Sequence, residues 1–189
     1  MREIALHLLD IAENSAAAES QNIRIEVHED LHRDLLAARV TDDGRGLDPE
    51  TAQKVQDPFY TTRTTRHVGL GIPLLKLAAE MAEGRFSLKS KPGTGTRVEA
   101  IFRHSHIDRM PLGDLSATFL TVLVSHPKMN WTFTYRVTDK AGNSHDFIFE
   151  NTELKAALGD MSLTEPEVLT FVRGMIEEGI AALTLQPVN

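Results

Sequence analysis

The spacing of apolar residues changes along the first part of the chain. From 4 to 18 they recur every three or four positions, which predicts a long helix. From 22 to 27 polar and apolar residues alternate, and a short apolar run covers 35–40 before an acidic segment that contains glycine. The pattern therefore predicts a helix followed by two strands that are joined by a polar turn.

The segment from 48 to 68 interrupts this pattern. It includes the polar stretch DPFYTTRTTRHV and is predicted to be a mobile loop. Gly69-Leu70-Gly71 then opens a second helix that ends near Gly84. Two further strands are predicted over 86–90 and 96–102, with a turn between them. The order of elements is that of an α+β fold.

The stretch HSHIDRMPLGD after Arg103 is polar and contains Pro and Gly, which is typical of a domain boundary. Beyond it the pattern predicts a helix over 112–125, a hairpin from 131–137 and 147–149, and a helix that begins at 164–167. The predicted organisation is a domain over 1–103, a linker over 104–111 and a small α+β domain over 112–189.

Composition excludes several classes of function. Hydrophobic residues make up 41% of the chain and charged residues 25%, a balance that supports a compact fold. The net charge of -7 provides no basic field for nucleic acid or an anionic membrane. There is no cysteine, so disulfides and thiolate metal sites are excluded. The first residues lack the long apolar run of a signal peptide or membrane span. We expect a cytoplasmic protein that binds neither nucleic acid nor a membrane.

Several motifs follow one another in the first hundred residues. Asp10 and Asn14 are four positions apart, so one face of the first helix presents both side chains. TDDGRGL at 41–47 ends a strand in a carboxylate and two glycines, which let the backbone approach a ligand. GLG at 69–71 places free amides at a helix start, and PGTGT at 92–96 follows a strand. Each motif alone is also explained by a surface pair, a turn or a hairpin.

The order of these motifs resembles that of the GHKL ATPase superfamily, which includes histidine kinases, DNA gyrase, mismatch-repair ATPases, a heat-shock chaperone and anti-sigma serine kinases. LLDIAENSAAAES resembles its N box, TDDGRGL its first glycine box, DPFYTTR its F box, and GLGIPLLK with PGTGT its later glycine boxes. The resemblance covers about the first 103 residues. It implies a two-layer α/β sandwich of the histidine kinase-like ATPase type, with a small α+β domain appended.

The resemblance also implies ATP and Mg as cofactors. Asn14 is then expected to coordinate the Mg ion, and Asp42 to accept a hydrogen bond from the adenine amino group. Asp10 falls where hydrolysing members carry their general base, usually Glu. The other expected nucleotide contacts are Gly44 and Gly46 at the base, Phe59 in the F box, Arg63 and Arg66 in an ATP lid over 61–68, Gly69, Leu70 and Gly71 at the phosphates, and a hydroxyl donated by Thr96 near the base or its bound water.

Other sites are less well supported by the sequence. The chain contains no Gly-Lys pair, so the Walker phosphate loop is absent, and GLGIPL lacks the third glycine of a dinucleotide fingerprint. His104 and His106 are a pair of metal-ligand type, but spacing places no third ligand beside them and a solvated linker is favoured.

Three functions remain open at this point. A histidine kinase carries a helical hairpin with the phospho-accepting His ahead of its ATP domain, whereas here the N box starts almost at Met1. We therefore expect phosphoryl transfer to a Ser, Thr or His of a separate protein partner. The alternatives are an ATP-hydrolysing switch, favoured by Asp10, and a nucleotide-sensing module without chemistry. Partner binding or formation of a homodimer is the hypothesis for 112–189.

Overall fold

The computed structural model describes residues 3–57, 71–159 and 162–184. Within these residues the chain forms six helices and six strands. The helices are α1 Ile4–Ala17, α2 Pro49–Lys54, α3 Gly71–Met81, α4 Leu115–Ser125, α5 Asn151–Leu158 and α6 Pro166–Thr184. The strands are β1 Asn22–Asp30, β2 Leu35–Asp42, β3 Arg85–Lys91, β4 Gly95–Arg103, β5 Asn130–Thr138 and β6 Ser144–Glu150.

The six strands form one sheet in the order β3-β4-β2-β1-β5-β6. The β1–β5 pair is parallel and every other neighbouring pair is antiparallel. Because successive side chains of a strand point to opposite faces, the alternating apolar residues of each strand line the same face of the sheet. Across the parallel pair these buried partners are Ile23 with Trp131, Ile25 with Phe133, and Val27 with Tyr135.

The helices cover this apolar face and make the second layer. α1 packs against both α3 and α4, and α4 packs against α6. The other face of the sheet is polar, and at its centre Arg39 forms ion pairs with Glu26 and Glu99. The two-layer α+β fold predicted from the sequence is confirmed. No helix within the described residues is both long and apolar enough to span a bilayer.

The sheet continues across the predicted boundary at 104–111. β5 pairs with β1 over residues 130–138, and a single hydrophobic core includes residues from both sides of the boundary. The first backbone N–H groups of α1, at Ile4 and Ala5, donate to the carbonyls of Pro111 and Leu112. Since a helix start needs such acceptors, the segment that leads into α4 also caps α1. The two-domain division stays a prediction, and any cut at this point separates β1 from β5.

Two elements correct the predictions from the sequence. The loop predicted over 48–68 is wrong for 49–54, which form α2, and its residues 58–68 lie outside the described part. The side chain of Asp48 accepts hydrogen bonds from the backbone N–H groups of Glu50 and Thr51, and Pro49 occupies the first turn, so local capping stabilises a helix despite the polar composition. α5 directly follows β6 and was not predicted.

Candidate functional site

The carboxylate of Asp42 lies at the end of β2 on the core face of the sheet, where it is 9% exposed. Its Oδ1 accepts hydrogen bonds from the backbone N–H of Gly44 at 3.0 Å and of Thr96 at 3.1 Å. Its Oδ2 accepts from the hydroxyl of Ser15 at 2.7 Å. Asp42 therefore brings together α1, the turn after β2 and the start of β4.

Two glycines allow the surrounding backbone to approach this closely. A Cβ placed on Gly95 would lie 1.9 Å from the carbonyl oxygen of Asp42, and one on Gly46 would lie 2.0 Å from that of Lys91. Both glycines have positive φ, +112° and +65° respectively, a conformation that other residues rarely adopt. The sequence requires glycine here because the turn after β2 packs directly on the β3–β4 hairpin.

Asp43 anchors the other side of the same turn. Its carboxylate accepts hydrogen bonds from the backbone N–H groups of Gln21 and Asn22 at 2.8 and 2.9 Å, and from the Asn22 side chain at 2.6 Å. Burial alone would raise the pKa of Asp43, but these hydrogen bonds outweigh it and lower the pKa. The ionised Asp43 therefore fixes the position of the turn that follows Asp42.

Asp10, Asn14 and Gly71 meet where α1 passes the first turn of α3. The Asn14 amide nitrogen lies 3.5 Å from Asp10 Oδ2, a long contact within α1. A Cβ placed on Gly71 would lie 2.0 Å from the same Asp10 oxygen, so a larger residue at the start of α3 would displace the Asp10 side chain. The structure thus brings the predicted Mg ligand, the predicted base and the start of the predicted phosphate-binding helix into one region.

His7 forms a second link between the two helices. It is buried, and its Nδ1 lies 3.2 Å from the carbonyl oxygen of Gly71, which makes Nδ1 the protonated nitrogen of the ring. Burial lowers the pKa of His7 below its usual value of 6.5, although the hydrogen bond to Gly71 opposes this shift. A neutral His7 therefore holds α1 against the start of α3.

Two serines at the site were missed in the sequence. Ser15 is buried beside Asn14 and donates to Asp42, and Ser90 of β3 contacts the hydroxyl of Thr96 at 2.8 Å. Ser15 follows Asn14 in the N box, and Ser90 occupies a core-facing position of an otherwise apolar alternation. A hydroxyl at a predicted core position was the signal that could have found them, since such groups need a hydrogen-bond partner.

Five predicted site residues lie outside the described part of the chain and stay predictions: Phe59, Arg63, Arg66, Gly69 and Leu70. The histidine pair of the predicted linker is engaged elsewhere. His104 Nε2 lies 2.8 Å from Glu29, and His106 Nε2 lies 3.9 Å from Glu83. Among the residues that the structure describes, no three His, Cys, Asp or Glu side chains are grouped as a metal site.

The donors and acceptors of the site fit an adenine nucleotide with its metal ion. A carboxylate offers about four acceptor positions, and the described hydrogen bonds of Asp42 fill two on Oδ1 and one on Oδ2, so Oδ2 can accept from an amino group. Asn14 directs its amide nitrogen towards Asp10, and its carbonyl oxygen is the kind of atom that Mg²⁺ prefers as a ligand. The first turn of α3 provides backbone N–H groups of the kind that bind phosphate.

Known proteins resemble the chain in sequence and in fold. FleS, a sensor protein kinase of Pseudomonas aeruginosa, is 38% identical over 89 residues, which are 47% of this chain and 22% of that protein. The non-motile and phage-resistance protein of Caulobacter vibrioides is 32% identical over 123 residues, 62% of this chain and 15% of that protein. The chain thus spans less than a quarter of the length of either relative.

A crystal structure of the N-terminal domain of a DNA repair protein superposes with a TM-score of 0.51 at 12% identity, covering 77% of this chain and 51% of that one. This likeness shows the fold. The sequence model described as histidine kinase-, DNA gyrase B-, and HSP90-like ATPase matches residues 1–106, more than half of the chain. The chain therefore belongs to the family of histidine kinase-, DNA gyrase B- and HSP90-like ATPases.

Proposed function

We propose that the chain binds ATP with Mg²⁺ at the site around Asp42 and transfers the γ-phosphoryl group to a side chain of a separate protein. The observation that supports nucleotide binding best is the hydrogen bonding of Asp42. Its three described donors are neutral and hold the carboxylate in one orientation. A buried carboxylate with no charged donor among its described partners is costly, so its presence here supports a ligand that donates to it.

Each residue of the site has a proposed role. Asp42 accepts from the adenine amino group, and Gly44 and Gly46 line the base. Asn14 binds the Mg²⁺ ion with its carbonyl oxygen, and Gly71 contributes a backbone N–H to the phosphates. The remaining proposed contacts are Phe59, Arg63, Arg66, Gly69, Leu70 and the hydroxyl of Thr96.

Phosphoryl transfer asks the protein for little covalent chemistry. The bound ion neutralises charge on the phosphates, and the polypeptide positions the reacting groups. In this chain the turn anchored by Asp43 and the two close glycines would position the base, while His7 holds α3 against α1. These contacts therefore lie beside the proposed adenine site and at the start of α3. The phosphates would be held between the two.

The acceptor is proposed to lie on another protein. His7 is the one histidine within the described helices, and it is buried and held by Gly71, so it is not placed to receive a phosphoryl group. FleS, which the chain resembles over 89 residues, is named a sensor protein kinase. Transfer of the phosphoryl group to a separate protein agrees with both the burial of His7 and the similarity to a kinase.

Labelled ATP tests this proposal. The chain is incubated with Mg²⁺, ATP labelled at the γ-phosphate and candidate partner proteins, and label is expected on a partner. Asn14→Ala should abolish transfer and remove the gain in ATP affinity that Mg²⁺ gives the wild type. Asn143→Ala, in the exposed β5–β6 turn, is the matched control and should change neither. Transfer that persists in Asn14→Ala would contradict the proposed mechanism.

The position of Asp10 supports ATP hydrolysis as a second candidate function. Its carboxylate lies against the first turn of α3, one helical turn from Asn14, where a water molecule could be activated beside the phosphates. Phosphate release that stops in Asp10→Asn while ATP still binds would favour this function. No release by the wild type with any partner would exclude it. The predicted homodimer stays a prediction.

A further inference from the structure

Ser90 connects, through one hydroxyl, three parts of the proposed adenine pocket beside Asp42. Its Oγ accepts a hydrogen bond from the backbone N–H of Leu47 at 2.8 Å and donates to the carbonyl oxygen of Gly95 at 3.1 Å. The same atom lies 2.8 Å from the Oγ1 of Thr96, its partner across the β3–β4 pair. Ser90 therefore joins the turn after β2 to the hairpin and to Thr96.

The number of protons decides which way the Ser90–Thr96 hydrogen bond runs. A serine hydroxyl has one proton and two acceptor positions. If Thr96 donates to Ser90, then Ser90 donates to Gly95 and accepts from Leu47 and Thr96, and all three contacts are hydrogen bonds. If Ser90 donates to Thr96 instead, no proton lies between the Oγ of Ser90 and the carbonyl oxygen of Gly95. These two oxygens then face each other at 3.1 Å in a partly buried position. The first arrangement is favoured because every group is satisfied.

The orientation of Thr96 then has a consequence for the ligand. With its proton directed to Ser90, Oγ1 of Thr96 can only accept from a bound base. Thr96 pairs directly with Asp42 across β4 and β2, and its backbone N–H donates to Asp42 Oδ1. The pocket therefore presents two neighbouring acceptors, one from each residue.

We propose that Ser90 is a specificity-determining positioning residue: it orients Thr96 as an acceptor, so that the pocket selects a 6-aminopurine nucleotide over a 6-oxopurine nucleotide. This inference rests on the proposed nucleotide function and changes one of its details, because Thr96 accepts rather than donates. The amino group of adenine carries two protons for these two acceptors. The carbonyl oxygen of hypoxanthine in the same place would face two acceptors and have no proton to share.

The test compares ATP with inosine triphosphate on the full 189-residue chain in the presence of Mg²⁺, using calorimetric titration. The quantity measured is the ratio of the two dissociation constants. Ser90→Ala frees the Thr96 proton to rotate, so the preference for ATP is expected to fall about five-fold, the worth of one neutral hydrogen bond. Ser87→Ala, three residues earlier on the opposite face of β3, is the matched control and should keep the wild-type ratio.

A double-mutant cycle shows whether Ser90 acts through Thr96. Thr96→Val removes the hydroxyl and keeps the shape, and it should lower the preference for ATP about as much as Ser90→Ala, roughly five-fold. In the Thr96→Val background, Ser90→Ala should then leave the ratio unchanged. A structural role alone would weaken the binding of both nucleotides equally and leave the ratio at the wild-type value. If Ser90→Ala does not fold, Ser90→Cys takes its place, since a thiol is only a weak acceptor.

The outcomes separate the two proposals. Loss of ATP preference in Ser90→Ala, absent from the Thr96→Val background, supports the role of Ser90. Wild-type preference in Ser90→Ala, or a further loss in the Thr96→Val background, overturns it while nucleotide binding stands. A wild-type chain that binds neither nucleotide overturns the proposed function itself.

Discussion

Two aspartates lie at opposite ends of β2, and the carboxylate of each accepts three described hydrogen bonds. Their environments differ. Asp34, just before β2, accepts from the backbone N–H and hydroxyl of Ser105 and from the Arg103 guanidinium at 3.1 Å. Asp42, the last residue of β2, accepts only from neutral groups. Asp34 is only partly buried, whereas Asp42 is buried.

We propose that this difference separates a structural carboxylate, Asp34, from one that binds a ligand, Asp42. The charge of Asp34 is balanced by Arg103, and its contacts close the β1–β2 turn onto the residues after β4. Hydrogen bonds from Ser105 and the charge of Arg103 lower the pKa of Asp34. Asp42 lacks such a cation among its described partners, so its negative charge remains available to a bound amino group.

The largest effect is expected from Asp42→Asn. The amide cannot offer the same acceptor to an adenine amino group, and the loss of a hydrogen bond to a charged group corresponds to an affinity about 100-fold weaker. Calorimetric titration with a non-hydrolysable ATP analogue and Mg²⁺ measures it. Asp34→Asn removes a carboxylate from the other end of the same strand and should leave the affinity unchanged. Equal losses of affinity in both variants would contradict the proposed distinction between Asp42 and Asp34.

Gly95→Ala should lower the free energy of unfolding by about 2 kcal/mol, because the new Cβ would meet the carbonyl of Asp42 and the backbone would have to shift. Urea unfolding measures this loss. Gly93→Ala is the control: Gly93 also has positive φ, but nothing lies within 4 Å of its Cβ position. It should lose only about 1 kcal/mol, for the left-handed conformation. If the Gly93 variant were as unstable as the Gly95 variant, the backbone conformation, and not the contact with Asp42, would account for the loss in free energy of unfolding.

A smaller effect is expected at the other end of β2, and only in acid. Because the folded state lowers the pKa of Asp34 below 3.8, its contribution to stability is present above that pH and is lost as the pH falls below it. Asp34→Asn should therefore unfold less steeply between pH 4 and pH 2 than the wild type, as followed by circular dichroism. Ser87→Ala, which removes no titratable group, should retain the wild-type acid dependence. A wild-type acid profile in Asp34→Asn would contradict this account.

The sequence predicted the parts of the site that depend on local pattern. A short apolar run predicted β2, and the motif after it predicted that Asp42 and two glycines would form one turn. α2 was also predictable, since Asp48-Pro49 is a capping signal, although the polar composition of the segment favours a loop.

Contacts between distant residues could not be predicted in this way. The hydrogen bond from Ser15 to Asp42 joins residues 27 positions apart, and that from Leu47 to Ser90 joins residues 43 apart. β5 pairs with β1 although 99 residues separate the end of β1 from the start of β5. Periodicity describes one element at a time, so it gave no sign that the sheet continues across the predicted boundary.

The smallest predicted effect concerns His7, which holds α1 against the start of α3. Since burial lowers its pKa, the folded state keeps His7 neutral, and the stability it contributes is present above pH 6.5 and lost as the unfolded chain takes up protons below that value. His7→Gln should therefore make the free energy of unfolding less dependent on pH between 7 and 5.5, as measured by urea titration at each pH. Burial also lowers the pKa of His28, so part of the pH dependence should remain. His145→Gln, at an exposed position of β6, should keep the wild-type slope. An equal slope in the wild type and in His7→Gln would mean that His7 is protonated in the folded protein, and its Nδ1–H bond to Gly71 would then persist with a charged ring.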